Sequence, residues 1–232
     1  EELSTLRKFG SRLQGHPSMK CLPGIDMSTG SLGQGISAAV GMALAGKFDN
    51  KSYRTFAVLG DGELEEGQVW EAAMAAAHYK LDNLTIFIDS NGLQIDGDVT
   101  NVMNPRPIDK KFEAFGWNVL IIDGHNYEEI IDAIEKARNT KNMPTCIIAN
   151  TIKGKGIPFM ENDILWHYRF PHDGWEYDLA VNELHKIKPE GAEDIYTPNG
   201  IENPTPVPQD ADIYNDHTTS ATWHPTWRGE SD

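Results

Sequence analysis

The chain has 232 residues, of which 39% are hydrophobic and 21 are glycines, a composition ordinary for a soluble globular protein and unlike that of a disordered chain. Twenty Lys and Arg residues against 35 Asp and Glu residues give a formal net charge of −15, which argues against nucleic acid and anionic membrane as partners. Its apolar stretches are shorter than the about 20 residues that cross a bilayer, so no membrane span is predicted.

Helices and strands are predicted to alternate from residue 32 onward. The predicted helices have apolar residues at helical spacing, and the predicted strands are short apolar runs rich in Ile, Val, Phe and Thr. The helices cover residues 32–47, 65–80, 109–115 and 128–140, and the strands cover residues 54–59, 84–89, 117–122 and 145–151. This alternation predicts an α/β fold with an open, mostly parallel sheet and helices on both faces. Ligands of such sheets bind at the carboxyl ends of the strands.

A change in composition near residue 188 predicts two regions, a domain over 1–188 and a tail over 189–232. The tail contains six prolines, nine acidic residues and a single basic residue. Such a composition favours disorder. Because Trp223 and Trp227 are unusual in a disordered tail, an arm that docks on a partner is the open alternative.

Polar residues follow two consecutive strands, where Gly60-Asp61-Gly62 ends one and Asn91 ends the next. Because parallel strands end at one edge of the sheet, the Asp61 carboxylate and the Asn91 carbonyl are expected to meet. These hard oxygen ligands suit Mg²⁺ or Ca²⁺, completed by a backbone carbonyl, water and a phosphate. For Gly-Asp-Gly alone, a tight turn with an Asx hydrogen bond is the plain alternative.

Several ordered blocks resemble the cofactor-binding half of transketolases. They are GHPSMKCLPGIDMSTGSLGQGISAAVGMALA at 15–45, GDGELEEGQVWEAAMAAAHYKLDNL at 60–84, SNGLQIDG at 90–97, and TIKGKGIPFMEN at 151–162 with Trp166-His167 after it. The resemblance covers roughly residues 1–188. It implies a thiamine-diphosphate-binding domain of the diphosphate type, with thiamine diphosphate and a divalent cation, Mg²⁺, Ca²⁺ or Mn²⁺, as cofactors.

The resemblance also implies ligands for the cofactor. Asp61, Asn91 and the carbonyl of Leu93 match the residues that hold the metal in transketolases. Gly60 and Gly62 match the diphosphate loop. Gly30 and Leu32 match the segment packed against the thiazolium and aminopyrimidine rings, and Ile95 is expected to help support the cofactor.

Four further residues match functional positions of the family. His16 matches a histidine at the donor sugar and the reaction centre, and Lys153 and His167 match residues near the diphosphate and the sugar hydroxyls. His167 is therefore a candidate proton carrier, as histidines exchange protons near neutral pH. Glu66 matches a glutamate of a network between the two active sites of a dimer. Arg169 is a candidate contact for a substrate phosphate.

The family's pyrimidine-binding domain has no counterpart in this sequence. The resemblance therefore implies one subunit of a split transketolase, inactive alone, with a separate C-terminal subunit in an α₂β₂ assembly. The assembly is expected to transfer a two-carbon ketol unit from a ketose or ketose phosphate to an aldehyde. A segment that precedes the first block in the family is expected to be lost by truncation or disorder.

Two other interpretations use the same residues. The α subunit of a 2-oxo-acid decarboxylase or acyloin-forming enzyme shares the metal motif, but GHP, STGSLGQG and Trp-His favour a transketolase. A non-catalytic scaffold subunit of the same fold is the second alternative. Cys21 and Cys146 lack zinc spacing and favour a reducing, cytoplasmic setting. Glu63 and Glu65 are expected only to complement a helix dipole.

Overall fold

The computed structural model describes residues 2–189. The described residues fall into two compact units, which divide between Ile152 and Lys153. The predicted tail lies outside the described residues except for Pro189, so the domain boundary at residue 188 stays a prediction.

The first unit is built on a parallel four-stranded sheet. Its strands are β1 (Thr55–Gly60), β2 (Leu84–Ser90), β5 (Asn118–Asp123) and β6 (Thr145–Asn150), in the order β1-β2-β6-β5. Two short antiparallel strands, β3 (Leu93–Gln94) and β4 (Gly97–Asp98), form a hairpin in the loop after β2. The predicted parallel α/β sheet is thus confirmed, whereas the sequence pattern did not indicate the hairpin.

Five helices belong to the first unit, and one described helix belongs to the second. They are α1 (Gln34–Phe48), α2 (Gly67–His78), α3 (Val99–Val102), α4 (Ile108–Phe115) and α5 (Tyr127–Asn139), followed by α6 (Trp175–Lys186). Short 3-10 turns cover Glu2–Thr5, Gly62–Glu65, Pro158–Met160 and Ile164–His167. Across residues 2–189, no helix is long and apolar enough to span a membrane.

Strand β6 shows why helices cover both faces of the sheet. Its side chains alternate between two hydrophobic cores, as the two-residue period of a strand requires. Cys146 and Ile148 belong to the larger core, which α1, α2 and α4 complete, while Ile147 and Ala149 pack in a smaller core with Ala133 of α5. A strand buried on both faces is continuously apolar, which is the pattern that its sequence displays.

The helix predicted over 65–80 begins later than the sequence suggested. Residues Gly62–Glu65 form a 3-10 turn, and Glu66 has an extended backbone with φ −73° and ψ 124°. Helix α2 therefore begins at Gly67. The GDG loop is joined to α2 through this turn rather than directly.

Candidate functional site

Asp61 is a buried carboxylate that joins the ends of β1 and β2. Only 1% of its surface is exposed. Its Oδ1 accepts a hydrogen bond from the Gly62 amide at 3.0 Å, and its Oδ2 accepts one from the Gly92 amide at 2.8 Å. Burial raises its pKa, and the charge of Asp89 adds to the rise, while the two amide donors oppose it. A carboxylate placed in this way is stabilised in its ionised form by a bound cation.

Asn91 lies on the loop that Asp61 contacts. Its Oδ1 accepts a hydrogen bond from the Leu93 amide at 2.9 Å, so the adjacent amides of Gly92 and Leu93 donate to Asp61 and Asn91 in turn. The φ of +78° at Gly92 permits the turn between them. The predicted convergence of the two strand ends is therefore present in the fold.

The donor set at this edge fits a hard divalent cation. Within the described part of the chain, no three His, Cys, Asp or Glu side chains form a metal-binding group. A cation here would therefore take the Asp61 carboxylate, the Asn91 amide oxygen and backbone carbonyl oxygen. Each of these oxygens has a second lone pair beyond its hydrogen bond. Carboxylate and carbonyl oxygens are the ligands of Mg²⁺, Ca²⁺ and Mn²⁺.

The glycines around Asp61 have different surroundings. A Cβ built on Gly60 or on Gly92 would meet no atom within 4 Å, so the backbone there is open to an approaching phosphate. In contrast, a Cβ on Gly62 would stand 3.0 Å from Cβ of Gln94. The open glycines fit a diphosphate, whereas Gly62 is needed for close packing.

The two blocks GHP and STGSLGQG meet at His16 and Gly30. A Cβ on Gly30 would lie 2.5 Å from the His16 ring. Nearby in sequence, Leu32 is 55% exposed, and Ile95 of the β3–β4 hairpin is 47% exposed. Large apolar side chains left at the surface are what a site for the cofactor rings requires.

A cavity of about 1130 Å³ opens beside the STGSLGQG loop. Gly30 and Leu32 line it together with Glu63 and with the outer side chains of β1, Phe56 and Val58. Asp61 and Asn91 are not among its lining residues. The two residues predicted to hold a cation are therefore not part of the lining of this cavity.

Glu66 lies behind the same loop, at the residue before α2. A Cβ on Gly33 would stand 2.8 Å from Cβ of Glu66, so this pair is in close contact. The Glu66 side chain belongs to an exposed residue. Its predicted part in a network between two active sites stays a prediction.

Lys153 and His167 belong to the second unit. Burial lowers the pKa of His167, and the positive charge of Lys153 lowers it further. The buried Nδ1 of His167 has no hydrogen-bond partner among the described residues. The imidazole is therefore held neutral near pH 7, in the form that accepts a proton.

Arg169 is engaged within the second unit. It donates a hydrogen bond to Glu176 Oε1, and its guanidinium lies 4.8 Å from the centre of the Trp166 ring. The other oxygen of Glu176 accepts from the His172 amide at 2.8 Å, and Glu176 is only 8% exposed. These contacts give Arg169 an internal partner, which the sequence did not indicate.

Sequence reasoning missed three side chains at the carboxyl edge of the sheet. Glu63 accepts hydrogen bonds from the amides of Gly33 and Gly60. Asp89 accepts one from Thr151 Oγ1, and His125 Nε2 accepts one from the Ile152 amide at 2.8 Å. Their position near the carboxyl end of a strand, Asp89 inside β2 and the other two shortly after β1 and β5, was a usable signal. Their partners, distant in sequence in most cases, were not.

Comparison with known proteins gives consistent matches. The family model "Transketolase, thiamine diphosphate binding domain" matches residues 1–168. The chain is 48% identical over 188 residues to the 6-deoxy-6-sulfo-D-fructose transketolase subunit SqwG of Clostridium sp. (strain MSTE9), covering 80% of this chain and 67% of that protein. It is 44% identical over 184 residues to one of the subunits of the apulose-4-phosphate transketolase of Phocaeicola vulgatus, covering 79% and 65%.

Longer relatives match over the same region. Human transketolase is 49% identical over 168 residues, which are 72% of this chain and 26% of that protein. The crystal structure of transketolase from Campylobacter jejuni superposes with a TM-score of 0.67 at 38% identity, over 71% of this chain and 27% of that one. The chain thus spans about two thirds of the matched subunits and about a quarter of these longer proteins.

Proposed function

The chain belongs to the transketolase family, in its thiamine-diphosphate-binding domain, and on this premise we propose that it is the thiamine-diphosphate-binding subunit of a two-component transketolase. The reaction proposed is transfer of a two-carbon ketol unit from a ketose or ketose phosphate to an aldehyde. Two relatives that are 48% and 44% identical and carry the name of transketolase subunits support this proposal. The names of these relatives favour it over a 2-oxo-acid decarboxylase.

The observation that carries the proposal is the junction of two strand ends at Asp61. Its carboxylate is buried and bonded to the loop that carries Asn91. We assign Asp61, Asn91 and the carbonyl of Leu93 to the divalent cation, with Mg²⁺ the first choice and Ca²⁺ or Mn²⁺ able to replace it. The open backbone at Gly60 is assigned to the diphosphate.

Thiamine diphosphate, when bound, supplies an electron sink for the carbanion that is left when a carbon-carbon bond beside a carbonyl breaks. The chain's own residues position and protect the reactants. Gly30, Leu32 and Ile95 are assigned to packing against the rings, where they exclude water. Lys153 is assigned to the diphosphate, to which its positive charge is complementary.

Proton transfer on the sugar hydroxyls is assigned to His16 and His167. The lowered pKa of His167 keeps its imidazole neutral and ready to accept a proton at neutral pH. Because Nδ1 is the buried ring nitrogen, Nε2 is assigned to the exchange. Glu66 is assigned to the network between paired active sites.

The partner proposed is a separate chain that carries the pyrimidine-binding domain, in an α₂β₂ assembly. The word "subunit" in the names of the two relatives supports a second chain. A cytoplasmic location is part of the proposal and is supported by two free cysteines, Cys21 and Cys146.

The test is calorimetry of the chain with its partner, titrated with thiamine diphosphate and Mg²⁺. Asp61→Ala is expected to abolish metal-dependent binding. Asp96→Ala is the matched control, because Asp96 is an exposed aspartate in the loop that also carries Asn91, and it should bind as the unchanged chain does. Unweakened binding by Asp61→Ala would remove the assignment. Ketol transfer by the chain without a partner would refute the split arrangement.

A further inference from the structure

Glu63 connects two glycine loops that are far apart in sequence. It lies in the 3-10 turn Gly62–Glu65. Its Oε1 accepts a hydrogen bond from the amide of Gly33 at 2.8 Å, at the start of α1, and its Oε2 accepts one from the amide of Gly60 at 3.2 Å, at the end of β1. One carboxylate thereby joins the loop before α1 to the loop at the end of β1.

The loop at Gly33 needs such support. Gly33 is the residue before α1, with φ +76°, and it has no side chain that could cap the helix. It is also pressed against Glu66, whose Cβ leaves no room for a larger residue. The Glu63 carboxylate comes from another segment and supplies the hydrogen-bond acceptor that the loop lacks. It lies at the N-terminus of α1, where the helix dipole favours negative charge.

Asp61 and Glu63 connect the GDG loop to two different segments. Asp61 bonds to the Gly92 amide and so joins the GDG loop to the loop after β2. Glu63 bonds to Gly33 and joins the same loop to the start of α1. The two carboxylates of the short segment Asp61-Gly62-Glu63 therefore accept hydrogen bonds from two different loops.

We propose that Glu63 is a positioning residue that fixes the loop at Gly30–Gly33 against the diphosphate loop before the cofactor binds. This inference rests on the proposed function, because it concerns the same site. A loop that is ordered in advance spares the binding step the loss of conformational entropy that ordering costs. Removing the connection therefore weakens cofactor binding without removing any metal ligand.

If Glu63 acted only through its negative charge, its removal would change cofactor affinity in the opposite direction. A carboxylate near a bound diphosphate repels it, so loss of the negative charge alone would strengthen binding. Positioning predicts weaker binding after the same change. Because the two roles differ in sign, one substitution separates them.

The first measurement uses the full chain without cofactor. In Glu63→Gln the new amide group faces an N–H donor, so at least one of the two hydrogen bonds is lost. Amide hydrogen exchange, resolved by NMR, should become about tenfold faster at Gly33, at Gly60 or at both. Glu65→Gln is the matched control. It removes the same charge from the same turn, has no hydrogen bond to either glycine in the described structure, and should leave both amides unchanged.

The second measurement is calorimetry of thiamine diphosphate and Mg²⁺ binding to the chain with its partner. Glu63→Gln should raise the dissociation constant by about tenfold, whereas Glu65→Gln should not raise it. Glu63→Asp keeps the charge but is one methylene shorter, and it should also bind more weakly. This second variant serves if Glu63→Gln does not fold.

Each outcome has a distinct meaning. Unchanged exchange and unchanged affinity in the Glu63 variants would overturn the inference, as would tighter binding by Glu63→Gln. If the unmodified chain and its partner bind no thiamine diphosphate, the proposed function fails. Faster exchange at Gly33 or Gly60 in Glu63→Gln would still support the connection between the loops in that case.

Discussion

The imidazole of His16 lies against the α carbon of Gly30 so closely that a Cβ on Gly30 would stand 2.5 Å from the ring atoms Cγ and Nδ1. Gly30 also has a φ of +138°, a backbone angle that residues other than glycine rarely adopt. The position of His16, a proposed contact of the donor sugar, therefore depends on the absence of a side chain at residue 30.

Gly30→Ala should destabilise the chain through both backbone strain and collision with His16. We expect a loss of about 3 kcal/mol in the free energy of unfolding, measured in urea. Gly24→Ala is the matched control: Gly24 also has a positive φ, +89°, but a Cβ there meets no atom within 4 Å. It should cost only the strain, about 1 kcal/mol. Equal losses in the two variants would contradict the close packing of Gly30 against His16.

A double substitution tests the contact itself. If the collision with His16 causes the added loss, His16→Ala should reduce the cost of Gly30→Ala by about 1–2 kcal/mol. The measurement is a double-mutant cycle of unfolding free energies. Additive effects would mean that the two residues do not interact.

Lys153→Gln should raise the pKa of His167. Burial is the larger cause of the lowered pKa and Lys153 the smaller, so the substitution should restore part of the shift and not all of it. The pKa can be followed by NMR of the imidazole. Lys155→Gln is the control, because Lys155 lies 3.6 Å from Glu161 and does not contribute to the His167 shift. An unchanged His167 pKa in Lys153→Gln would contradict the assignment.

The same shift fixes the sign of a pH effect on stability. The unfolded chain binds a proton at His167 at higher pH than the folded chain does, since the folded pKa is lowered from 6.5. The contribution of His167 to stability is thus present above pH 6.5 and is lost as the pH falls through the window beneath it. Lys153→Gln brings the folded-state pKa of His167 closer to its unfolded value, so the pH range between the two values becomes narrower. Less stability should therefore be lost on acidification in this variant.

How far the sequence predicts the site depends on whether local pattern or tertiary contact decides the position. The run TCIIANT is apolar because β6 is buried on both faces, and Asp61 and Asn91 follow strand ends that the apolar runs predict. The sequence therefore predicts where these two residues lie in the fold, and their part in metal binding stays a prediction. The contacts of Glu63 are not predictable in this way, because its partner Gly33 is 30 residues away and a charged first turn explains an acidic residue equally well. Helix α6 was missed because its buried residues include Glu176, which breaks an apolar pattern.

Removal of Arg169 should destabilise the second unit. Glu176 is 8% exposed, and loss of the guanidinium leaves its carboxylate buried and without its cation. For Arg169→Ala we expect a loss of about 3 kcal/mol in urea unfolding. Lys186→Ala is the control, because the Lys186 side chain that pairs with Glu183 is 66% exposed, and ion pairs open to solvent contribute little. Similar stability in both variants would argue against a structural role for Arg169.

The two cysteines should differ in reactivity with a thiol reagent. Cys21 is exposed, whereas Cys146 is fully buried in β6, where burial raises the pKa of its thiol and removes the reactive thiolate. In the folded chain one thiol should react quickly, and the second should react only after unfolding in urea. Cys21→Ser should abolish the fast reaction and leave the slow one. Rapid reaction of both thiols in the folded chain would show that β6 is not a central, buried strand. It would also contradict the packing of helices on both faces of the sheet.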